Sequence, residues 1–247
     1  MKHDNFKTCS QSGFCSRNRA FADHASAQGT AWNSPYELDP ATIHFKDGQL
    51  TGVLIKETTN NEKVRLPVTV SFLESGAARV VVDEERRLKG DIDLRHDSKA
   101  NKKRYDETEK WVVVGGLEVS KSATLNAQSE TGFTKILYGP EDKFQAVIRH
   151  APFEVEFQRD GETHVQLNHQ GLLNMEHWRP KVEKNEEGQE GESNDPESTW
   201  WEESFGGNTD SKPRGPESIG LDISFPGYSH VFGIPEHADS LSLRETR

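Results

Sequence analysis

Apolar residues recur at every second position in several stretches of this chain, and the clearest example lies at 153–167. Phe153, Val155 and Phe157 alternate with polar residues, and Asp160-Gly161 follows as a two-residue turn signal before the alternation resumes. Side chains of a strand point to opposite faces in turn, whereas a helix face repeats about every 3.6 residues. The pattern therefore predicts a β-hairpin with its apolar side chains on one face.

Short apolar or alternating runs in the rest of the chain predict further strands. They lie at 43–55, 66–72, 78–82, 111–114, 133–138 and 144–148. A hairpin turn is expected at Asp47-Gly48, and one short helix is expected at 16–27. Because strands do not alternate with amphipathic helices, a (β/α)₈ barrel is not expected in this chain. The expected fold is all-β, an antiparallel β-sandwich.

The segment 219–239 combines a strand pattern with a polar exit. Apolar side chains at 219, 221, 223 and 225 alternate with small or polar ones, which predicts a half-buried strand that ends at Pro226-Gly227. A second apolar run at 231–232 leads to Glu236, His237 and Asp239. These three ionisable residues are substrate-cleft candidates; the alternative is a loop held together by structural salt bridges.

Charge and hydropathy limit the classes of partner that the chain could bind. A formal charge of −11 argues against nucleic acid and anionic membranes, since both require clustered Lys and Arg. No apolar run approaches the roughly 20 residues of a membrane span. No signal-peptide pattern follows Met1, so a secretory protein of this sequence would have lost its leader.

Changes of composition divide the chain into four parts. We expect an N-terminal segment at 1–32, a sandwich at 33–182, an acidic flexible insertion at 183–213 and the last strands at 214–247. The insertion is rich in Glu, Gly, Asn and Ser and has too few apolar residues to offset its ordering entropy. Trp200 and Trp201 interrupt it, and they either pack on the sandwich or stack on a sugar.

Catalytic and metal-binding patterns are weak. Asp91 and Asp93 share one side of an extended segment, but they lie among charged residues that would not raise a carboxyl pKa. The spacing of His164, His169 and His177 does not bring them to one strand face. We therefore expect hydrogen-bonded or exposed histidines and do not expect a metal site. Cys9 and Cys15 are either joined in a small disulfide loop or free thiols.

Three sequence motifs resemble a known family. The similarity is carried by the opening around Cys9 and Cys15 with N-F-K-T-C at 5–9, by the hairpin that ends in G-L-L at 171–173, and by the stretch from Trp201 to Asp239, which holds G-Y-S-H-V-F-G-I-P-E-H-A-D at 227–239. These segments resemble the α-subunits of endoplasmic-reticulum glucosidase II, which are family-31 glycoside hydrolases. The resemblance weakens at 86–110 and in the acidic insertion. It implies that the sandwich is a galactose-mutarotase-like N-terminal domain and favours a Cys9–Cys15 disulfide.

The resemblance also implies where the chemistry lies. In this family a (β/α)₈ barrel, absent here, carries the aspartate nucleophile and the aspartate acid/base, and a substrate-contacting aspartate is expected just past Arg247. The whole enzyme would trim α-1,3-linked glucose from N-glycans in the endoplasmic-reticulum lumen, with retention and without a cofactor or metal. Its expected partners are the C-terminal remainder of the same polypeptide and a β-subunit.

Two other classes remain open from the sequence. A free-standing carbohydrate-binding sandwich would bind sugar through Trp200 and Trp201. A mutarotase-like epimerase would need a His base and a Glu partner that converge in the sandwich, and no motif places such a pair.

Overall fold

The fold was obtained as a computed structural model, which describes residues 7–8, 11–84, 111–128, 132–178, 201–212, 215–233 and 242. Antiparallel strands dominate these residues, and one longer helix accompanies them. The predicted all-β class is therefore confirmed.

The first sheet has five strands from the first third of the chain. They are β1 (Tyr36–Leu38), β2 (His44–Lys46), β3 (Gln49–Glu57), β4 (Lys63–Phe72) and β5 (Ala78–Val82). The order is β1-β3-β4-β5, and β2 also pairs with β3. Asp47-Gly48 joins β2 to β3 with φ values of 49° and 71°. Positive φ at both positions suits a tight hairpin, so the predicted turn is confirmed.

The second sheet begins with five consecutive hairpin strands. They are β6 (Thr124–Gln128), β7 (Phe133–Tyr138), β8 (Phe144–Arg149), β9 (Glu154–Arg159) and β10 (Glu162–Leu167). Asp160-Gly161 connects β9 to β10 with φ values of 50° and 85°, as predicted. A register shift between Thr163 and Val165 brings the His164 side chain to the space between the sheets.

The last strands are short. They are β11 (Asn174–Met175), β12 (Glu202–Phe205), β13 (Asn208–Ser211), β14 (Ile219–Gly220) and β15 (Ile223–Ser224). β15 pairs with β10 and completes a six-stranded sheet, whereas β14 pairs with β11. The continuous strand predicted from residue 219 is therefore interrupted at Leu221–Asp222. The interruption arises because the segment changes its pairing partner there.

A closed hydrophobic core lies between the two sheets. The first sheet contributes Leu54, Leu66 and Phe72, and the second contributes Ile136 and Ile148, all fully buried. The alternation seen in the sequence directs these side chains inward from both sheets.

The helix α1 (Gly13–Gln28) confirms the helix predicted at 16–27. Only Gly13 and Ala25 are buried, so α1 has no broad apolar stripe. Phe21 packs edge-to-face on Trp32, and polar contacts tie the helix to later strands: Arg17 pairs with buried Glu176, and Asn18 accepts a hydrogen bond from Asn174 at 3.1 Å. None of the helices among the described residues has the length and apolar character needed to cross a bilayer.

The strand predicted at 111–114 is wrong. These residues pair with no strand of the described chain, and Trp111 is 81% exposed. The apolar residues follow one another without alternation, and Gly115 and Gly116 turn the backbone directly afterwards with φ values of 82° and 85°. A run of consecutive apolar residues does not fix a strand face, so the local pattern was insufficient.

Candidate functional site

A cleft of about 680 Å³ opens between the two sheets beside the core. Val80 and Val82 of β5 form one wall, and Val155 and Phe157 of β9 lie on the other. Ile219, Leu221 and Ile223 line its mouth. The lining is predominantly aliphatic and aromatic, which is the character of a buried contact surface.

The chemistry available in this cleft is limited. The described residues that line it include His164, Tyr228 and Arg159 but no Asp or Glu. At its inner end, burial raises the pKa of Tyr138 to about 12, so this hydroxyl stays protonated near neutral pH. Glycoside hydrolysis generally uses two carboxyl groups that flank the scissile bond. The described part of the cleft therefore lacks the groups for this reaction.

A smaller aromatic pocket of about 290 Å³ adjoins the cleft at its mouth. Phe225, Tyr228, His230 and Phe232 contribute to it, and His164 Nδ1 lies 2.5 Å from the Tyr228 hydroxyl. The predicted residues Glu236, His237 and Asp239 lie outside the described residues, so their role as cleft residues stays a prediction.

A polar network covers the other face of the six-stranded sheet, and sequence reasoning missed it. The alternation places Glu154 and Glu156 on the face opposite Phe153, Val155 and Phe157, yet only 8% and 7% of their surfaces are exposed. Arg149 Nη2 donates to Glu156 Oε1 at 2.9 Å and its Nε lies 3.4 Å from Glu154 Oε2. Glu154 Oε1 also lies 2.8 Å from His169 Nδ1. The sequence feature that could have revealed this network is the set of long polar side chains on neighbouring strands, because such side chains cover one another when they lie side by side.

This network does not support an epimerase. His169 and Glu154 are in direct hydrogen-bond contact, so no substrate fits between them as it would between an acid and a base. Glu156 is already occupied by Arg149, and Gln158 Nε2 lies 3.3 Å from its second oxygen. The His169–Glu154 contact is therefore part of the polar network on the sheet surface.

The three predicted histidines lie apart, each in a different environment. His164 contacts Tyr228, and His169 contacts Glu154. His177 is buried, and its Nδ1 lies 3.4 Å from the Nζ of Lys56. Within the described ranges no cluster of three or more His, Cys, Asp or Glu could hold a metal ion. The expectation of hydrogen-bonded histidines agrees with these contacts.

The aromatic segment predicted around Trp200 and Trp201 is described from Trp201 onward. β12 and β13 form a hairpin that contacts the start of α1, where Glu203 Oε1 accepts from the Gly13 N–H at 2.9 Å. This backbone hydrogen bond, together with Lys212 and Lys7, lowers the pKa of Glu203 to about 2. Glu203 thus supplies a carboxylate at the helix N-terminus, where the helix dipole favours it.

Three other predicted residues lie outside the described chain. Cys9 is one of them, so the Cys9–Cys15 pairing stays a prediction. Asp91 and Asp93 are the other two, and their exposure stays a prediction as well.

The comparisons with known proteins agree with this architecture. A profile of the glycosyl hydrolase 31 N-terminal galactose mutarotase-like domain matches residues 67–247. The chain belongs to this family. The resemblance read from the three motifs is thereby confirmed.

Individual relatives are similar over nearly the whole chain. "Glucosidase 2 subunit alpha" of Schizosaccharomyces pombe is 40% identical over 98% of this chain and 25% of its own length. "Neutral alpha-glucosidase AB" of Sus scrofa is 30% identical over 100% and 25%, respectively. The chain therefore spans about a quarter of the length of these relatives.

Solved structures give the same result. A crystal structure of a glucosidase II alpha subunit in its Tris-bound form is similar with a TM-score of 0.83 and 56% identity, over 100% of this chain and 26% of that one. A heterodimeric complex of an ER glucosidase II catalytic subunit with the binding domain of the regulatory subunit matches with a TM-score of 0.81 and 58% identity. This match covers 98% of this chain and 25% of the solved chain.

Proposed function

We propose that this chain is the N-terminal, non-catalytic part of an α-glucosidase that trims α-1,3-linked glucose from N-glycans in the endoplasmic-reticulum lumen. The observation that carries the proposal is the 40% identity to a glucosidase 2 alpha subunit over 98% of the chain. The lining of the described cleft is apolar and has no carboxylate, which favours a structural role for this part over a catalytic one.

In the proposed enzyme the two catalytic aspartates lie in a barrel downstream, and no cofactor takes part. The sandwich supports the barrel and shapes the edge of its cleft. A β-subunit is the proposed partner, and a solved relative is a complex of the catalytic subunit with the regulatory subunit's binding domain.

The test uses a glucosylated N-glycan oligosaccharide and two proteins, the full-length protein and the 247-residue chain. We expect the full-length protein to release glucose with retained anomeric configuration, detected by NMR of the fresh product. The chain alone is expected to release none and to be poorly soluble, and its co-expression with the remainder should restore cleavage of a small α-glucoside. Glucose release by the chain alone, or none by the folded full-length protein, would contradict the proposal.

We also propose that Glu236, His237 and Asp239 line the substrate cleft. Their position a few residues after the aromatic pocket at 225–232 motivates this role. Alanine variants of the full-length protein should change KM or kcat while Tm holds. Glu62→Ala, at an exposed turn, is the control. If Tm falls and the kinetics of the folded fraction are unchanged, the three residues brace a domain junction instead.

Two further proposals depend on residues outside the described ranges, namely Cys9 and the segment 183–198. Cys9 and Cys15 form a disulfide, for which peptide mapping without reductant should recover a linked peptide and should not find two free thiols. Residues 183–198 are dispensable, so their deletion should leave Tm within a few degrees, and a large decrease would show that they pack.

A further inference from the structure

The outer face of the six-stranded sheet, which points away from the space between the sheets, carries an ordered polar surface. Residues that lie directly opposite each other on antiparallel strands share a face, and so do residues two positions apart along one strand. The register therefore places two neighbouring cross-strand rows on this face, Phe133, Arg149 and Glu154 in one and Lys135, Val147, Glu156 and Gln166 in the next. We call these residues, together with His169 beside Glu154, the polar sheet face.

The two carboxylates of the polar sheet face are fixed by the fold itself. Glu154 and Glu156 are buried. Arg149 contacts both of them, with Nε 3.4 Å from Glu154 Oε2 and Nη2 2.9 Å from Glu156 Oε1. His169 Nδ1 lies 2.8 Å from the other oxygen of Glu154. Because Arg149 and His169 are already held by these contacts, they lose little conformational freedom when they bind a ligand.

Arg149 and His169 retain hydrogen-bonding groups that the fold does not use. Their side chains are 49% and 51% exposed. No residue in the described ranges hydrogen-bonds to Arg149 Nη1 or to His169 Nε2. Arg149 Nη1 is a donor, and because the Glu154 carboxylate accepts from Nδ1, the Nε2 of the neutral imidazole is an acceptor. Hydroxyl groups act in both roles, so they suit this pair.

Charge and composition favour a neutral ligand. The positive charges of Arg149 and Lys135 balance the negative charges of Glu154 and Glu156, so the polar sheet face favours neither an anion nor a cation. The core of a protein–protein interface is usually rich in aromatic residues, whereas Phe133 is the single aromatic member of this set. Phe133 lies next to Arg149 in register and supplies apolar surface for the C–H groups of a sugar ring.

We propose that the polar sheet face binds a neutral oligosaccharide, a mannose-containing arm of the N-glycan that does not carry the glucose to be removed. Hydroxyl groups of this arm accept from Arg149 Nη1 and donate to His169 Nε2, while Glu154 holds both side chains in place. The identity of the ligand rests on the proposed function, whereas the surface itself rests on the contacts of these residues. The surface is separate from the apolar cleft, which lies on the opposite side of the sheet.

The first test measures binding to the full-length protein by calorimetric titration. The probe is a glucose-free oligomannose N-glycan, and the active site is saturated with DNJ, the ligand of one solved glucosidase II alpha subunit. His169→Ala and Arg149→Lys should each weaken binding by about two- to tenfold, which corresponds to the loss of one hydrogen bond. Lysine at position 149 keeps a positive charge beside the two carboxylates. His44→Ala and Arg19→Lys, at exposed positions outside the polar sheet face, are the matched controls and should bind like the unsubstituted protein.

Each result of the titration bears on the proposal. If the unsubstituted protein does not bind the glycan, or if both variants keep its affinity and its Tm, the proposal is overturned. If Arg149→Lys lowers Tm, His169→Ala decides, because Glu154 then still contacts Arg149 and Gln166. Cleavage of a small α-glucoside by the unsubstituted protein without DNJ is measured separately. Its absence contradicts the proposed function, whereas glycan binding that responds to the two variants still supports the surface.

The second test shows what contacts the polar sheet face. A photo-crosslinking benzoylphenylalanine replaces Lys135 in the full-length protein, and the control carries it at Lys46, an exposed residue of the first sheet. We expect a crosslink to the glycan at Lys135 that competes with unlabelled glycan, and none at Lys46. A crosslink from Lys135 to a peptide, of this chain or of another, would show that protein covers the face and would overturn the proposal.

Discussion

The space between the two sheets has a closed region and an open region, built from similar residues. In the closed region Leu54, Leu66 and Ile148 are fully buried. In the open region Leu221 and Ile223 have the same aliphatic character and the same alternating spacing, yet they are about half exposed. Alternation thus determines which way a side chain points, whereas burial depends on what lies opposite it.

Polar contacts add to the difference between the regions. In the closed region the Tyr36 hydroxyl accepts from Met175 N at 2.8 Å, and Lys56 Nζ donates to the Met175 carbonyl at 2.9 Å. These bonds join β11 to the first sheet. In the open region Tyr228 meets His164 at an exposed mouth. The closed region is therefore fixed by buried hydrogen bonds as well as by packing.

The largest expected effect contrasts two aliphatic truncations. Leu66→Ala in the 247-residue chain should lower the free energy of unfolding by about 2–5 kcal/mol, because it removes buried methyl groups and leaves a cavity. Ile223→Ala should lower it by less than about 1 kcal/mol, since half of that side chain is already in water. Denaturant titration at low protein concentration measures both. Equal losses would show that the open region is as well packed as the closed one.

The next effect tests the buried hydrogen bond. Tyr36→Phe should cost about 1–3 kcal/mol, because Met175 N–H is left without its acceptor in a buried position. Tyr228→Phe is the matched control, since its hydroxyl is at the exposed mouth. Thermal unfolding of the two variants gives the comparison. A larger loss for Tyr228→Phe would reverse the assignment of the two regions.

Glu203 lies outside both regions and adds a third case, since it ties α1 to the β12–β13 hairpin through a charged hydrogen bond. Glu203→Gln should cost about 1 kcal/mol at neutral pH, because the helix N-terminus loses its carboxylate. The folded-state pKa of about 2 lies below the ordinary 4.5, so this stabilisation is present above pH 4.5 and is lost as pH falls toward 2. Unfolding measured across this pH range should show a flatter profile for the variant. Glu202→Gln, at the exposed neighbouring residue, is the control and should keep the profile of the unsubstituted chain. If its profile is as flat as that of Glu203→Gln, the role assigned to Glu203 is contradicted.

The smallest expected effect concerns His150 in the closed region. Burial lowers the pKa of His150 below its ordinary 6.5, so near neutral pH the folded and unfolded states both hold it neutral. As pH falls below 6.5 the unfolded state binds a proton that the folded state does not, and stability decreases. His150→Gln should weaken this decrease, measured by unfolding between pH 7 and pH 5 on either side of that value. His44→Gln, at an exposed strand, should leave the decrease unchanged; an unchanged decrease in His150→Gln would contradict the prediction.

Much of the secondary structure could be predicted from the sequence, because its determinants are local. Asp47-Gly48 and Asp160-Gly161 accept positive φ, and that property places two hairpin turns without reference to the rest of the chain. Period-two alternation in 66–72 and 153–157 likewise identifies strands and their inward faces. The family motifs added the fold type, which the structure and the comparisons confirmed.

The candidate site was predictable only in part. The segment 219–232 lines the cleft and its aromatic mouth, but the cleft residues predicted from the sequence, Glu236, His237 and Asp239, lie beyond it and outside the described residues. The buried Glu154 and Glu156 escaped prediction because polar residues on an alternating strand are ordinarily assigned to solvent. Their burial comes from Arg149, Gln158 and Gln166, which lie on the same strand or neighbouring ones.

By itself, the sequence determined the strands that show period-two alternation, two hairpin turns and the faces to which the side chains of those strands point. Only the tertiary structure decided that β14 and β15 pair with different strands, that polar contacts tie α1 to later strands, and that one part of the space between the sheets remains open. The physical reason is the range of the interactions: dihedral preferences and alternation act between near neighbours, whereas burial is settled by residues distant in the chain.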